Sequence, residues 1–308
     1  MQAHQTEFIE SFEREIEVRK ALVNQCIQDC LQYNHSVTNV LKEAMEYSVY
    51  ASGKRIRPIL VLEAGKLFSG SEQRLLDFSV AVELLHTYSL IHDDLPCMDD
   101  SDFRRGKATC HKVYGDDIAT LAGDALLTFA WDLLIQMGDK HKVDSQTVLQ
   151  VVSLLSQAVG ANGMIAGQVL DLQAEANPDI NPQQLEQIHT YKTGKLFIVC
   201  LEMGAILCSA DASRTEALRE YGRHFGLVFQ ITDDLLDLTG TTEELGKTAG
   251  SDLLHEKSTY PALFGMDKSR EMASNHAQEG IEVLNKAFPP QKCEFLSALM
   301  NYLLVRTS

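Results

Sequence analysis

The chain has 308 residues, 45% of them apolar and 23% charged, a soluble globular composition able to bury a sizeable core. Its net charge of −16 argues against a nucleic-acid surface, and against anionic phosphate too, unless metal ions stand between acid and phosphate. Seven cysteines, an odd number without a C-x-x-C pair, fit free thiols in a reduced, cytoplasmic protein. The N-terminal Met-Gln-Ala-His-Gln-Thr-Glu lacks a basic region followed by an apolar one, and no apolar run approaches bilayer length, so neither signal peptide nor membrane span is expected.

The dominant period along the chain is helical. Residues 5–32 alternate charges with Phe8, Ile9, Phe12, Ile16 and Val18. Helices are predicted next over 36–50, 57–69, 74–95, 117–138, 145–160 and 161–176. They continue over 182–191, 192–210, 214–239, 259–287 (with a break) and 290–305. Asn181 before Pro182 reads as an N-cap with proline at the first helical position. Ser213-Arg214-Thr215-Glu216 has the capping-box form, and Gly240 and Gly246 mark a polar loop. No run of alternating β-branched residues predicts a strand, and no Pro/Gly/Ser-rich linker divides the chain. The fold class is therefore all-α, a single domain over 1–308 whose apolar helices, such as 192–210, lie at the centre.

Two aspartate clusters, about 140 residues apart, end apolar helical stretches: Asp93-Asp94-Leu95-Pro96-Cys97-Met98-Asp99-Asp100 and Asp233-Asp234-Leu235-Leu236-Asp237. Carboxylates beside apolar faces need a compensating cation or hydrogen bonds, and clustered carboxylate oxygens suit Mg²⁺. Asp233 and Asp237 stack on one helix face, with Gln230 a turn earlier. An exposed acidic helix end is the plainer alternative, but acids there oppose the helix dipole and apolar residues surround these. Pro96 places Asp93 at or near a helix end, with Asp99 on the next turn.

Cations lie close by. Arg104 and Arg105 follow the first cluster and could fork onto phosphate oxygens. Gly53-Lys54-Arg55-Ile56-Arg57-Pro58 puts three cations within four residues, a candidate for a second anion bound without metal. Single lysines (Lys192 before Thr193-Gly194, Lys195, Lys247, Lys257) would by themselves be solvated surface charges. Gln168 and Asp171 are core polar groups or partners of the metal ligands. Glu83-Leu84-Leu85-His86 and Glu186-Gln187-Ile188-His189 imitate the Glu-x-x-His pair of a di-iron bundle. That reading leaves both aspartate clusters and the basic patches unexplained, and His189, in a short polar helix, is expected at the surface instead. His86, seven residues before Asp93, shares its face about 10 Å along the helix.

Taken together, these motifs make the chain resemble the trans-prenyltransferases, or polyprenyl diphosphate synthases. The match runs in order through Gly53–Pro58, His86, Asp93–Asp99, Arg104-Arg105-Gly106, Gly167–Leu172, Lys192-Thr193-Gly194, Asp233–Asp237 and Lys257–Pro261. The resemblance implies a helical bundle around a deep cavity, a homodimer, and three Mg²⁺ held by Asp93, Asp99 and Asp233 with Asp94 and Asp237 in support. It implies that Arg104, Lys192 and Lys247 neutralise an allylic diphosphate, with Thr193, Gln230 and Lys257 also binding substrate. Isopentenyl diphosphate would be held by Lys54, Arg57, His86 and Arg105, and a basic C-terminus with Arg306 could close over it. Tyr88 and Ser89, five and four residues before the first aspartate, would set chain length. A bulky Tyr88 implies a fifteen-carbon product, farnesyl diphosphate, with geranylgeranyl diphosphate as the alternative. Tyr88 lies about 140° around the helix from Asp93, so this step rests on the resemblance. A non-catalytic partner subunit would usually lose one aspartate motif, and a terpene cyclase needs no second diphosphate site; this chain keeps both motifs and the Lys54–Arg57 patch.

Overall fold

The computed structural model describes residues 2–31, 38–51, 53–175, 180–239 and 259–306. The helices are α1 (Gln2–Leu31), α2 (Asn39–Val49), α3 (Ile56–Lys66), α4 (Glu72–Asp93), α5 (Cys110–Tyr114), α6 (Asp116–His141) and α7 (Ser145–Val159). They continue as α8 (Met164–Glu175), α9 (Pro182–His189), α10 (Lys195–Leu207), α11 (Ala212–Thr239), α12 (Tyr260–Phe264), α13 (Met266–Ala287) and α14 (Pro290–Val305). The protein is all-α, as expected. Among the described residues the only sheet is a two-residue hairpin, β1 (Phe103–Arg104) with β2 (Lys107–Ala108).

The core is centred on α4 and α10. Helix α4 packs on α3 and α6, and α10 packs on α3, α7 and α11, while α11 is covered by α13. Leu75, Phe78, Leu84 and Leu85 of α4 and Phe197, Leu201 and Met203 of α10 are almost wholly buried. Helices this apolar all round need neighbours on every side. Their few buried charges are paired: Glu83 with Arg55 at 2.6 Å, Asp77 with Lys140 and His141 at 2.7 Å each, Glu202 with Arg219.

Local chemistry explains the boundaries. Asn181 and Gln184 form a reciprocal capping box before Pro182. At the start of α11 the cap is Asp211, not Ser213: its carboxylate accepts from the Arg214 amide at 2.9 Å. The break inside 259–287 falls at Gly265, whose φ of 80° suits glycine. The β1–β2 hairpin was not foreseen, nor were the short α5 and a π-helical turn over Thr190–Gly194 between α9 and α10. Nor does the expectation about apolar runs hold: Asp116–His141 and Ser145–Ala174 are both long and apolar enough to cross a bilayer by length and composition. In the first, Ala119, Ala122, Leu126, Ala130, Leu133 and Leu134 are buried in the helix that packs on α4.

Candidate active site

Helix α4 ends at Asp93, with Asp94 as its C-cap, because Pro96 cannot continue it. The chain then folds back on the helix end. The Asp99 amide donates to Asp93 O at 2.9 Å, and the Ser101 amide to Asp94 O at 3.2 Å. This compact loop returns Asp99 to the level of Asp93. The two following carboxylates part ways. Asp94 is 3% exposed, and both its oxygens accept from Arg104, at 2.8 Å from Nε and 2.6 Å from Nη2. Burial raises the Asp94 carboxyl despite Arg104, so Asp94, expected beside a metal, is closed off by the arginine expected on phosphate.

The hairpin separates the two arginines. Arg105 (φ 54°) and Gly106 (φ 74°) form a left-handed turn between β1 and β2. Arg104 reaches down to Asp94, while the Arg105 guanidinium lies against Gly53, where an added Cβ would sit 2.6 Å from Nη1. Arg105 thereby joins the Lys54–Arg57 segment.

Asp93 is oriented from the opposite side. Its Oδ1 accepts from Gln168 of α8, and its Oδ2 lies 3.9 Å from Lys192 Nζ, which donates to Asp171 at 2.6 Å. Burial works against the Lys192 charge, but Asp93 and Asp171 outweigh it and raise the ammonium pKa. The π turn makes this possible by pressing on α8: a Cβ at Gly167 would meet the Lys192 amide nitrogen at 2.2 Å. Gln168 and Asp171 are thus partners of the first aspartate motif, one of the two readings open from sequence.

From the same turn, Thr193 Oγ1 donates to Gln230 Oε1 at 3.4 Å, and Gln230 Nε2 donates to Asp234 Oδ1 at 2.8 Å. The Tyr260 amide caps the other Asp234 oxygen at 3.0 Å. Asp234 and Asp237 are each 3% exposed, whereas the Asp233 side chain keeps 43% of its exposure. One face of α11 therefore splits into a buried Asp237 and an open Asp233. His189 is not at the surface: its Nε2 is buried without a hydrogen bond, 3.8 Å from Asp234 Oδ2, with its ring stacked on Tyr260. Burial lowers its pKa to about 4, so it is a neutral imidazole at physiological pH.

Behind the aspartates lies a cluster of cations. Arg57 sits over the Phe197 ring at 4.5 Å, with Nη1 donating to His86 Nε2 at 3.2 Å and Nε buried without a partner. Burial first, then Arg57, Arg105, Arg104 and Arg55, push His86 well below its usual range. Burial, with Arg55, Arg104 and Arg57 adding to it, lowers Arg105 to about 10. Lys54 is lowered to about 8 by burial and Arg306, with Asp233 and Glu13 pulling the other way. Arg55, part of the same basic patch, is set apart: its guanidinium is held by Glu83, Asn24 Oδ1 and the carbonyls of Val49 and Ala51. Like charges gathered away from water need an anion to offset them. Arg306 is buried above the Phe229 ring and reaches Thr232 Oγ1 and Asp233 Oδ1 at 3.4 Å each, so the basic C-terminal end meets the second motif. Lys247 and Lys257 lie outside the described residues.

The sequence profile of the family described as polyprenyl synthetase matches residues 38–292. The chain belongs to that family. It is 44% identical over 284 residues to the chloroplastic geranylgeranyl pyrophosphate synthase of Catharanthus roseus, covering 92% of this chain and 78% of that one. A farnesyl/geranylfarnesyl diphosphate synthase structure from Zymomonas mobilis superposes with a TM-score of 0.84 at 32% identity, covering 96% of this chain and all of the other. A Helicobacter pylori geranyltransferase in complex with magnesium and isoprenyl diphosphate matches with a TM-score of 0.78 at 33% identity, covering 92% and 96%. This polyprenyl synthetase is therefore a prenyl-transferring enzyme, as its ordered motifs implied. Sequence reasoning missed Phe197 beneath Arg57, the inward His189 and the Tyr260 amide on Asp234. Phe197 is one apolar residue in an apolar helix and carries no sequence signal; the Glu-x-x-His pattern did flag His189, for the wrong chemistry.

Proposed function

We propose that the chain condenses isopentenyl diphosphate with an allylic diphosphate to give an elongated trans-prenyl diphosphate and pyrophosphate. The observation that carries this is the pairing of two different candidate anion sites, one lined by aspartates and one gathering the cations Lys54, Arg57 and Arg105 around His86. The carboxylates of Asp93, Asp99 and Asp233 form a hard-oxygen donor set that fits Mg²⁺, three ions in all, with Asp237 behind Asp233. Bound there, Mg²⁺ supplies the electrostatic pull that lets the allylic C–O bond ionise. Gln168 holds the Asp93 carboxylate in place, and Lys192 adds positive charge beside it. Lys54, Arg57, Arg105 and the Nδ1–H of His86 hold the second diphosphate. Its double bond attacks the allylic cation, and the released pyrophosphate takes the proton. Apolar walls keep water from quenching the cation. The working unit is a homodimer.

For chain length, the twenty-carbon product is the better supported reading, because the Catharanthus relative is a geranylgeranyl pyrophosphate synthase. Ser89, small and one turn from Asp93 on the same face, agrees with it. Tyr88 favours the fifteen-carbon alternative: it is 5% exposed, edge-on to His92, with its hydroxyl lacking a hydrogen bond. The test is the purified protein with labelled isopentenyl diphosphate, Mg²⁺ and dimethylallyl or geranyl diphosphate, with chain length read by chromatography. Geranylgeranyl diphosphate is the expected product. Farnesyl diphosphate would leave the chemistry and reverse the length, and no elongation from either primer would sink the proposal.

A further inference from the structure

A second constellation of ligand-type side chains lies where the prenyl chemistry does not use it. His224 is on α11, nine residues before Asp233, which puts it about half a turn round the helix and roughly 13 Å along it. Across from it, His276 and Glu279 are three apart on α13 and so share a face. The His224 and His276 Nδ1 atoms are 3.2 Å apart, and Glu279 Oε2 is 3.5 Å from each. An ideal tetrahedral zinc centre with bonds of about 2.0–2.2 Å has ligand atoms about 3.4 Å apart. The three atoms therefore already outline one face of such a tetrahedron.

Proton accounting points the same way. Glu220 Oε1 lies 3.3 Å from His224 Nε2, and the same carboxylate is paired with Arg223. A carboxylate there draws the His224 proton to Nε2 and leaves a lone pair on Nδ1. His276 Nδ1 can then donate to only one of its two neighbours. A dication would satisfy all three lone pairs at once, and Glu220 would be the carboxylate behind a metal-bound histidine. The platform is tight as well, since a Cβ at Gly280 would come within 3.1 Å of His224 Cβ. Side-chain exposure rises from 13% at His224 to 29% at His276 and 60% at Glu279, so a fourth ligand can come from solvent.

We propose that His224, His276 and Glu279 form a zinc(II) site, with water as fourth ligand, that fastens α13 onto α11. Two imidazoles favour zinc over the Mg²⁺ of the carboxylate site. The site would brace the helix that carries the second aspartate motif from its outer side.

The test uses the full chain, stripped of metal by chelation and kept in excess Mg²⁺. Co²⁺ is added as the spectroscopic probe, then displaced by Zn²⁺. One equivalent of Co²⁺ per chain should give the intense visible band of a tetrahedral site, and Zn²⁺ should abolish it and raise the melting temperature. His276→Gln and Glu279→Gln should each weaken binding at least tenfold, and Glu220→Gln by about ten- to a hundredfold. Glu279 is exposed, so its variant should fold as the parent does by circular dichroism. Cys97→Ser, which removes an exposed thiol, should change nothing. Absence of the band in the parent chain, its survival in both His276→Gln and Glu279→Gln, or its loss in Cys97→Ser would each overturn the proposal. None of these readouts depends on prenyl transfer.

Discussion

In the proposed reaction Lys54 must be charged to hold a diphosphate, yet burial and Arg306 bring its pKa down to about 8. The charged fraction therefore falls as pH rises through 8. For the free enzyme, kcat/KM for isopentenyl diphosphate should show a basic limb near pH 8. Lys54→Arg should push that limb out of the measurable range; a profile identical in the two proteins would remove Lys54 from the site. The stability sign is opposite. Between pH 8 and the ordinary lysine value of 10.5 the unfolded chain binds a proton that the folded one has released, so this group's contribution to stability rises with pH. Gln168 acts at the same scale by orienting Asp93. Gln168→Ala should weaken Mg²⁺ activation by about ten- to a hundredfold with little change in melting temperature, checked by Mg²⁺ titration of the rate.

At the scale of elements, the basic patch before α3 divides into anchor and site. Arg55 sits at φ 52° as the N-cap of α3, and its ion pair with Glu83 is buried on both sides, at 5% and 1% exposure. Removing one partner leaves an uncompensated charge in the core. Glu83→Gln should thus cost about 3–5 kcal/mol in urea unfolding, and a loss under 1 kcal/mol would show that Arg55 finds other acceptors. Pattern reasoning could see three cations in a row. It could not see that the left-handed turn at Arg55 goes with a guanidinium buried against Glu83, apart from the Lys54 and Arg57 of the proposed site. The π turn over Thr190–Gly194 is the same kind of case: it sets Lys192 against α8 and Thr193 against Gln230, and no sequence period marks it.

At the scale of the molecule, the two aspartate motifs are joined by one run of polar contacts: Asp93 to Gln168 and Lys192, then Thr193 to Gln230, then Asp234 to Tyr260. If these motifs hold the metal and the allylic diphosphate as proposed, Mg²⁺ with a non-reactive allylic diphosphate should stabilise the whole fold. The expected outcome is a ligand-dependent rise in melting temperature that Asp93→Asn or Asp233→Asn removes. A rise that survives both variants would place the diphosphate elsewhere.

Helical class, the helix ends at Asp93, Asn181 and Val305, and both aspartate motifs follow from local rules, since apolar period, proline and caps act within a turn or two of the chain. The sequence alone therefore determined the family and the two aspartate motifs. Which carboxylate of each pair stays open was decided only in three dimensions, because Asp94 and Asp234 are closed by groups 10 and 26 residues away in sequence. The meeting of Arg57 with Phe197, of His189 with Asp234 and of His224 with His276 likewise depends on which helix faces which. That packing is set by the sum of many apolar contacts, and no window along the chain contains it.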